Sequence, residues 1–182
     1  KNPFGEKGDY VTSPMVSKLF GEMIAVWCVS FWENLGKPKK IVLVELGPGN
    51  AELCKDLLNA FKNFEDFYRC LELKLLEKSQ KLKKLQKKKI KNNKVKWIDE
   101  INQINCGPVI FIGNEFFDSL PIKQIYKNNN IFFEKYVSIA KDSKKIKFIF
   151  KKAKKKLIQS IKKLNLVSSG STIEYPIEAI KY

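Results

Sequence analysis

Residues 41–50 read Ile-Val-Leu-Val-Glu-Leu-Gly-Pro-Gly-Asn, and this stretch constrains the fold more than any other. An apolar run with no polar alternation is typical of a strand covered on both faces, as in a parallel sheet. Gly47 and Gly49 can take positive φ and let a ligand approach the backbone. Apolar residues then recur at helical spacing, at Leu53, Leu57, Leu58 and Phe61. A strand, a glycine loop and a helix are therefore predicted, the unit that holds nucleotide-type cofactors.

The charges near this loop favour a cationic ligand over a phosphate. A dinucleotide-binding loop has Gly or Ala at the sixth position from Gly47, but Glu52 stands there, where a pyrophosphate would have to bind. No Gly-Lys-Ser/Thr follows the loop, so a phosphate-binding P-loop is excluded as well. Glu45 and Glu52 would attract a sulfonium or an ammonium group. We therefore expect S-adenosylmethionine, a sulfonium compound, as the cofactor.

Two further predicted strands end in an acidic residue. Residues 71–77 end in Glu77, whose carboxylate can accept hydrogen bonds from both ribose hydroxyls, unless it is only an exposed charge at a strand end. Residues 94–99 alternate like a strand and end in Asp99, which we expect near the adenine amino group. A helix is predicted for residues 79–90, with Leu82, Leu85 and Ile90 inward and a solvated lysine face. Ser79, at its start, is another candidate for the cofactor site.

A second chemical centre follows the buried strand predicted for residues 108–112. Methyl transfer to nitrogen requires a lone pair held in line with the sulfonium methyl group. The Asn114 amide oxygen can accept hydrogens of that nitrogen, and Phe116 or Phe117 can face a cationic group. Glu115 and Asp118 can pair with a guanidinium. We predict Asn114, Glu115 and Asp118 as catalytic residues; the alternative is an acidic turn with aromatic packing.

Three motifs, in this order, resemble the MidA family of class I methyltransferases. They are Gly8-Asp9-Tyr10-Val11-Thr12-Ser13-Pro14, Glu45-Leu46-Gly47-Pro48-Gly49 and Asn114-Glu115-Phe116-Phe117-Asp118-Ser119-Leu120-Pro121, with Ala51 at a place where the family usually has glycine. The resemblance runs to about Tyr136. It implies methyl transfer to a protein arginine in support of respiratory complex I assembly. It also implies that Gly8, Asp9, Thr12 and Ser13 lie over the cofactor, although a capped turn is the alternative.

The net charge of +16 would ordinarily favour a nucleic acid partner, but the kind of basic residue argues against one. Arg69 is the one arginine among 35 basic residues, whereas proteins that bind phosphates or guanine edges use arginine's bidentate fork more often. The resemblance implies a protein substrate instead, such as a subunit of respiratory complex I. Two alternatives remain: a non-catalytic partner-binding or assembly module that keeps the fold, and an RNA-binding or RNA methyltransferase domain.

Histidine is absent from the sequence, which excludes His-based catalysis and most zinc sites, and we expect no metal. Cys28, Cys54, Cys70 and Cys106 are widely spaced, so free thiols are predicted. No apolar run reaches the roughly 18 residues of a membrane span. We expect a soluble protein of the bacterial cytoplasm or, in a eukaryote, of the mitochondrial matrix.

The predicted fold class is α/β, with a Rossmann-like class I methyltransferase sheet in an order resembling 3-2-1-4. Residues 1–121 form this core, and residues 122–182 form an antiparallel hairpin and helix insertion. A complete sheet of this class has seven strands, so the remaining strands are expected after Tyr182, with one sheet edge open. The first helix is predicted to start at Ser13-Pro14 and to end near Leu35. Its predicted core residues are Val16, Leu19, Phe20, Met23, Trp27, Ser30 and Phe31.

Overall fold

The computed structural model describes residues 17–105, 107–140, 145–163 and 168–177. The chain divides into two compact units, and the division falls between Phe116 and Phe117. The first unit alternates helices with parallel strands, and the second is built on an antiparallel sheet.

The first unit contains a four-stranded parallel sheet in the order β3-β2-β1-β4, which confirms the predicted fold class and strand order. Its elements are α1 (Lys18–Asn34), β1 (Ile41–Leu46), α2 (Glu52–Phe61), α3 (Glu65–Cys70), β2 (Leu71–Leu76), α4 (Gln80–Lys89), β3 (Val95–Ile98) and β4 (Val109–Ile112). β1 is central and every one of its residues is buried. The apolar run that predicts this strand therefore forms the middle of the sheet.

The helices α1, α2 and α3 share one apolar core with the sheet. Ile41 and Leu43 of β1 belong to it, together with Leu73 and Leu75 of β2. All four apolar residues predicted for the inner stripe of α2 are buried, because they recur on one side of the helix. These residues are Leu53, Leu57, Leu58 and Phe61. Packing on this face fixes the position of the loop between β1 and α2.

The core face of α1 differs from the predicted one. The helix buries the small and apolar residues Gly21, Ala25, Cys28, Val29 and Trp32. The predicted core residues Leu19, Met23, Trp27, Ser30 and Phe31 are exposed instead, Phe20 is half-buried, and Val16 lies outside the described residues. Apolar residues occupy both sides of α1, so their spacing does not choose between the two faces. Close packing against α2 decides, because it requires small side chains.

The start of α1 also differs from the prediction. The helix begins at Lys18, and the Ser17 hydroxyl accepts a hydrogen bond from the Leu19 backbone N–H at 3.2 Å. Ser17 itself has extended backbone angles, with φ −150° and ψ 129°, as an N-cap residue should. The described helix is thus capped by Ser17, and the predicted N-cap, Ser13, lies outside the described residues.

Gly21 provides a test of the α1–α2 packing. A Cβ added at Gly21 would lie 2.7 Å from the Asp56 Cβ, which cannot move without its backbone. We expect Gly21→Ala to lower the free energy of unfolding by about 1–2 kcal/mol, because overpacking outweighs the roughly 1 kcal/mol gain in helix propensity. Urea denaturation measures this, with the exposed Ser30→Ala in the same helix as control. A stabilised Gly21→Ala variant would contradict the close packing.

The second unit contains the predicted hairpin and a fourth strand that the sequence does not predict. Its elements are β5 (Ile122–Asn128), β6 (Ile131–Ile139), β7 (Ile146–Lys152), α5 (Lys155–Lys162) and β8 (Thr172–Pro176). The sheet is antiparallel in the order β7-β6-β5-β8. Asn129 takes φ +50° in the turn between β5 and β6, as an Asn-rich turn favours. Ile125, Phe132, Ala153 and Ile161 form the buried core of this unit.

The cysteines, the helix lengths and the clustering of potential metal ligands can be compared with the sequence. Cys28, Cys54 and Cys70 are free thiols, and Cys106 lies outside the described residues. None of the helices in the described ranges is long and apolar enough to cross a membrane. The described part of the chain also contains no group of three or more His, Cys, Asp or Glu residues that could hold a metal ion.

Candidate functional site

The predicted site residues of the first unit lie where the four parallel strands end. Gly47, Glu77, Asp99 and Gly113 directly follow β1, β2, β3 and β4. The Gly47 N–H donates to the Leu76 carbonyl at 3.0 Å, and the Glu77 N–H donates to the Ile98 carbonyl at 3.2 Å. The backbone ladder thus holds the strand ends side by side. Ligands of open α/β sheets bind at this edge.

The loop after β1 has the left-handed backbone that its glycines predict. Gly47 takes φ +61° and Gly49 takes φ +53°. Ala51, the residue before α2, also takes a positive φ, +58°, and is completely buried. A left-handed backbone is unfavourable by about 1–2 kcal/mol for a residue with a Cβ, which explains why glycine is usual at this place in the family that the motif resembles. The loop therefore keeps a conformation that local preference alone would not select.

The loop after β4 lies against the glycine loop. A Cβ added at Gly47 would lie 2.5 Å from the Cδ2 atom of the Phe116 ring, so the ring occupies the space that a side chain would need. Glu115, before it, takes φ +51° and is exposed, and Asn114 is half-buried. Two of the predicted motifs, separate in sequence, are thus in contact within the first unit. Asp118 is exposed in the short helical turn Phe117–Ser119, which belongs to the second unit.

Glu45 is a buried carboxyl group at the end of β1. Its residue is 4% exposed, and its Oε2 atom has no hydrogen-bond partner among the described residues. Burial raises the pKa of Glu45 from its usual 4.5 to about 8. Burial and the nearby Glu45 charge raise the pKa of the Cys54 thiol too, so this thiol stays neutral. A cationic ligand group near Glu45 would stabilise its ionised carboxylate, whose Oε2 atom no described residue pairs.

Glu77 is held in one orientation by two hydrogen bonds. Its Oε1 atom accepts from the Ser79 backbone N–H at 2.8 Å, and its Oε2 atom accepts from the Gln86 side chain at 3.1 Å. A carboxylate oxygen can accept a second bond, so each keeps capacity for a ligand hydroxyl. The Ser79 hydroxyl accepts from the Leu82 backbone N–H at 3.3 Å and thereby caps α4. The backbone of Ser79 thus orients Glu77, and its side chain starts the helix.

Two other acidic residues at this edge are paired with lysines of α4. The Lys83 ammonium donates to Asp99 Oδ1 at 2.6 Å. The Lys89 ammonium pairs with Glu52 and also donates to the Asn50 carbonyl at 3.1 Å. The Glu52 charge, which we expected to attract a cation, is therefore offset by Lys89. Of the two carboxylates nearest the glycine loop in sequence, Glu45 is the one without a lysine partner among the described residues.

The inner face of α4 differs from the predicted one. Lys83 and Gln86 are buried, Leu82 is half-buried and Leu85 is 41% exposed, whereas Ile90 is buried as predicted. Positions 83, 86 and 90 also have helical spacing. Leucines normally indicate the inner face of a helix, so the sequence favours the side with Leu82 and Leu85 over the side with Lys83 and Gln86. Gln86 is consequently a residue of the candidate site that the hydrophobic pattern of the sequence does not indicate.

Four predicted cofactor residues come from the first motif of the chain. They are Gly8, Asp9, Thr12 and Ser13. All four lie outside the described residues, so their predicted place over the cofactor stays a prediction.

Comparison with known families agrees with the sheet, the glycine loop and the acidic strand ends. Residues 23–182 match the family described as "Putative S-adenosyl-L-methionine-dependent methyltransferase", and the chain belongs to this family. The methyltransferase class predicted from the three motifs is thereby confirmed. The predicted cofactor, S-adenosylmethionine, is the cofactor of the family by that description.

The chain is also similar to curated proteins that are more than twice as long. The protein arginine methyltransferase NDUFAF7 homolog, mitochondrial, of Caenorhabditis elegans is 40% identical over 159 residues, covering 76% of this chain and 37% of the relative. Protein arginine methyltransferase NDUFAF7, mitochondrial, of Xenopus tropicalis is 37% identical over 150 residues, covering 69% of this chain and 35% of the relative. The chain thus spans little more than a third of these relatives.

A solved structure shares the fold. The crystal structure of a methyl transferase candidate from Burkholderia thailandensis, bound to S-adenosyl-homocysteine, superposes with a TM-score of 0.75 at 22% sequence identity. The superposition covers 98% of this chain and 47% of that chain. At this identity the similarity concerns the fold, which agrees with the predicted class I methyltransferase architecture.

Proposed function

We propose that this chain binds S-adenosylmethionine at the ends of β1, β2 and β3. The buried Glu45 carboxyl group beside the glycine loop carries this proposal: no described residue pairs its Oε2 atom, so it suits a cationic ligand and disfavours a phosphate. Gly47 and Gly49 let the cofactor approach the backbone. Glu77 accepts the ribose hydroxyls, near Ser79, and Asp99 lies at the adenine amino group. The resemblance of the first motif implies that Gly8, Asp9, Thr12 and Ser13 contribute to the cofactor site as well.

The loop after β4 is the proposed site for the acceptor nitrogen. When bound, the cofactor supplies an electrophilic methyl group on its sulfonium sulfur. For that methyl group to pass to the acceptor nitrogen, the residues of this loop would have to hold the nitrogen with its lone pair directed at the methyl group and its hydrogens turned away. Asn114 accepts hydrogens of that nitrogen and so directs its lone pair. Glu115 pairs with the guanidinium by a charge-assisted hydrogen bond, and the same role for Asp118, which belongs to the second unit, rests on its sequence motif alone.

The names of the relatives support a protein arginine as the acceptor and a mitochondrial location. We propose that the complete protein is a MidA-type methyltransferase whose substrate is a protein, such as a subunit of respiratory complex I. In a eukaryote it acts in the mitochondrial matrix, and in a bacterium in the cytoplasm. The positive charge of the chain is then a property of a lysine-rich composition, because arginine is nearly absent.

Calorimetric titration with S-adenosylmethionine and, separately, with NAD tests the cofactor. We expect saturable binding of the first and none of the second, because a pyrophosphate would meet Glu52 at the start of α2. Transfer of a labelled methyl group to arginine-containing subunits then tests the reaction. Binding without transfer would favour the non-catalytic module, and equal binding of NAD would contradict the proposed cofactor.

A further inference from the structure

Gln86 connects three parts of the candidate site. Its residue is completely buried, with 0% exposure, inside a helix that otherwise consists mostly of lysines. Its Nε2 atom donates to the Gly49 carbonyl at 2.8 Å and to Glu77 Oε2 at 3.1 Å. Its Oε1 atom accepts from the Trp97 indole N–H at 2.9 Å. One side chain therefore bonds the glycine loop after β1, the carboxylate after β2 and the ring on β3.

The chemistry of a primary amide matches these three partners. Nε2 carries two hydrogens and faces two acceptors, and Oε1 faces one donor. The reversed orientation would place Oε1 against the Gly49 carbonyl and the Glu77 carboxylate, where two acceptors repel each other. The amide therefore has one favourable orientation, and it fixes the positions of Gly49 and Glu77 relative to each other.

The neutrality of Gln86 matters as much as its hydrogen bonds. Lys83 and Lys89 lie three residues before and after it on α4, and they pair with Asp99 and Glu52. A lysine at position 86 would pair with Glu77 in the same way and offset its charge. Gln86 is uncharged and only donates a hydrogen bond to Glu77. Glu77 therefore has no lysine partner in the part of the chain that the structure describes. Its charge remains available to a ligand.

We propose that Gln86 is a positioning residue, which holds the Gly49 carbonyl and the Glu77 carboxylate in the geometry that binds the cofactor. The identity of the ligand, S-adenosylmethionine, rests on the proposed function. The hydrogen bonds of Gln86 do not depend on it. This role requires no contact between Gln86 and the ligand. Its effect on binding passes through the loop and through Glu77.

Hydrogen exchange in the ligand-free chain tests the positioning role first. Gln86→Met keeps a similar volume and removes all three hydrogen bonds. We expect amide exchange at residues 49–51 to become at least roughly 10-fold faster, because the loop loses its anchor. Gln80→Met, an exposed substitution in the same helix, should leave exchange at these residues unchanged. Cooperative unfolding shows that Gln86→Met is folded. If this variant does not unfold cooperatively, Gln86→Asn is used instead, because asparagine keeps the amide but is shorter by one methylene group.

Binding of S-adenosylmethionine across the pH range gives the second readout. Gln86→Glu places a second carboxyl group beside Glu77, and the two can share a proton at low pH but repel each other once both are ionised. Relative to the wild type, we expect Gln86→Glu to weaken binding roughly 10- to 100-fold at pH 8 and much less at pH 5.5. Gln80→Glu should match the wild type at both pH values.

The outcomes separate the two proposals. A wild type that does not bind S-adenosylmethionine overturns the proposed function, and the exchange experiment still decides whether Gln86 anchors the loop. If the wild type binds S-adenosylmethionine, and folded Gln86 variants keep both its affinity and its rate of loop exchange, the positioning role alone is overturned. Faster loop exchange together with a pH-dependent loss of affinity supports it, because a residue that only stabilised the fold would weaken binding equally at every pH.

Discussion

Replacing Glu77 by alanine is expected to raise the Kd for S-adenosylmethionine by about 100-fold or more. Glu77 has both carboxylate oxygens oriented by Ser79 and Gln86, and it has no lysine partner among the described residues. Two hydrogen bonds from ribose hydroxyls to an ionised acceptor contribute about 1.5–3 kcal/mol each, which corresponds to this change in affinity. Calorimetric titration measures the Kd directly.

Two further variants separate the charge of Glu77 from its hydrogen bonds. Glu77→Gln keeps one acceptor oxygen and should lie between the alanine variant and the wild type. Glu65→Ala removes an exposed carboxylate of α3, away from the strand ends, and should bind like the wild type. Far-ultraviolet circular dichroism establishes that each variant is folded. A folded Glu77→Ala that binds with wild-type affinity would remove Glu77 from the proposed site.

The sequence predicts the parallel sheet well, because its information is local and repeated. The apolar run of β1, the glycines after it and the stripe of α2 each indicate the same architecture, and all three are observed. The helix faces are predicted less well. On α1, the side that carries Met23, Trp27 and Phe31 is more apolar in sequence, yet the side with Gly21 and Ala25 is buried. Close helix packing selects small residues, and a hydrophobicity pattern does not contain that requirement.

The candidate site shows the same difference between local and tertiary information. Glu45, Gly47 and Glu77 can be identified because each ends a recognisable strand or begins a turn. Gln86 cannot, because its role depends on Gly49, Glu77 and Trp97, which lie on three other parts of the chain. The pairing of Glu52 with Lys89 is hidden for the same reason. The three-dimensional structure thus shows which carboxyl groups at the strand ends have a lysine partner among the described residues and which do not.

Glu45 is expected to make the stability of the ligand-free chain fall as the pH rises. Burial raises the pKa of its carboxyl group from 4.5 to about 8 in the folded chain. Below about pH 4.5 the group is neutral in the folded and unfolded states, and its burial carries no charge penalty. Between these two pKa values the unfolded chain is ionised and the folded chain is still protonated, so stability is lost as the pH rises. The loss is nearly complete above about pH 8 and approaches roughly 5 kcal/mol.

Glu45→Gln isolates this contribution, because the amide has nearly the same shape and does not titrate. Urea denaturation at pH 5 and pH 9 should show that the wild type loses several kcal/mol more than the variant between the two pH values. The exposed substitution Glu65→Gln should follow the wild type. The neighbouring Cys54 thiol does not interfere, since its raised pKa keeps it neutral over this range. If the free energy of unfolding changed with pH in the same way for the wild type and Glu45→Gln, burial of Glu45 would carry no charge penalty at high pH, and the prediction would be wrong.

The same raised pKa predicts that cofactor binding releases a proton. A cation beside Glu45 stabilises the carboxylate and lowers its pKa, so the affinity for S-adenosylmethionine should increase between pH 6 and pH 8. Calorimetry at pH 7 in two buffers with different ionisation enthalpies counts the protons, and we expect nearly one for the wild type and none for Glu45→Gln. S-adenosyl-homocysteine lacks the sulfonium charge, so a smaller release with this ligand would place the sulfonium near Glu45. Equal release with both ligands would instead indicate the ammonium group, which the two ligands share.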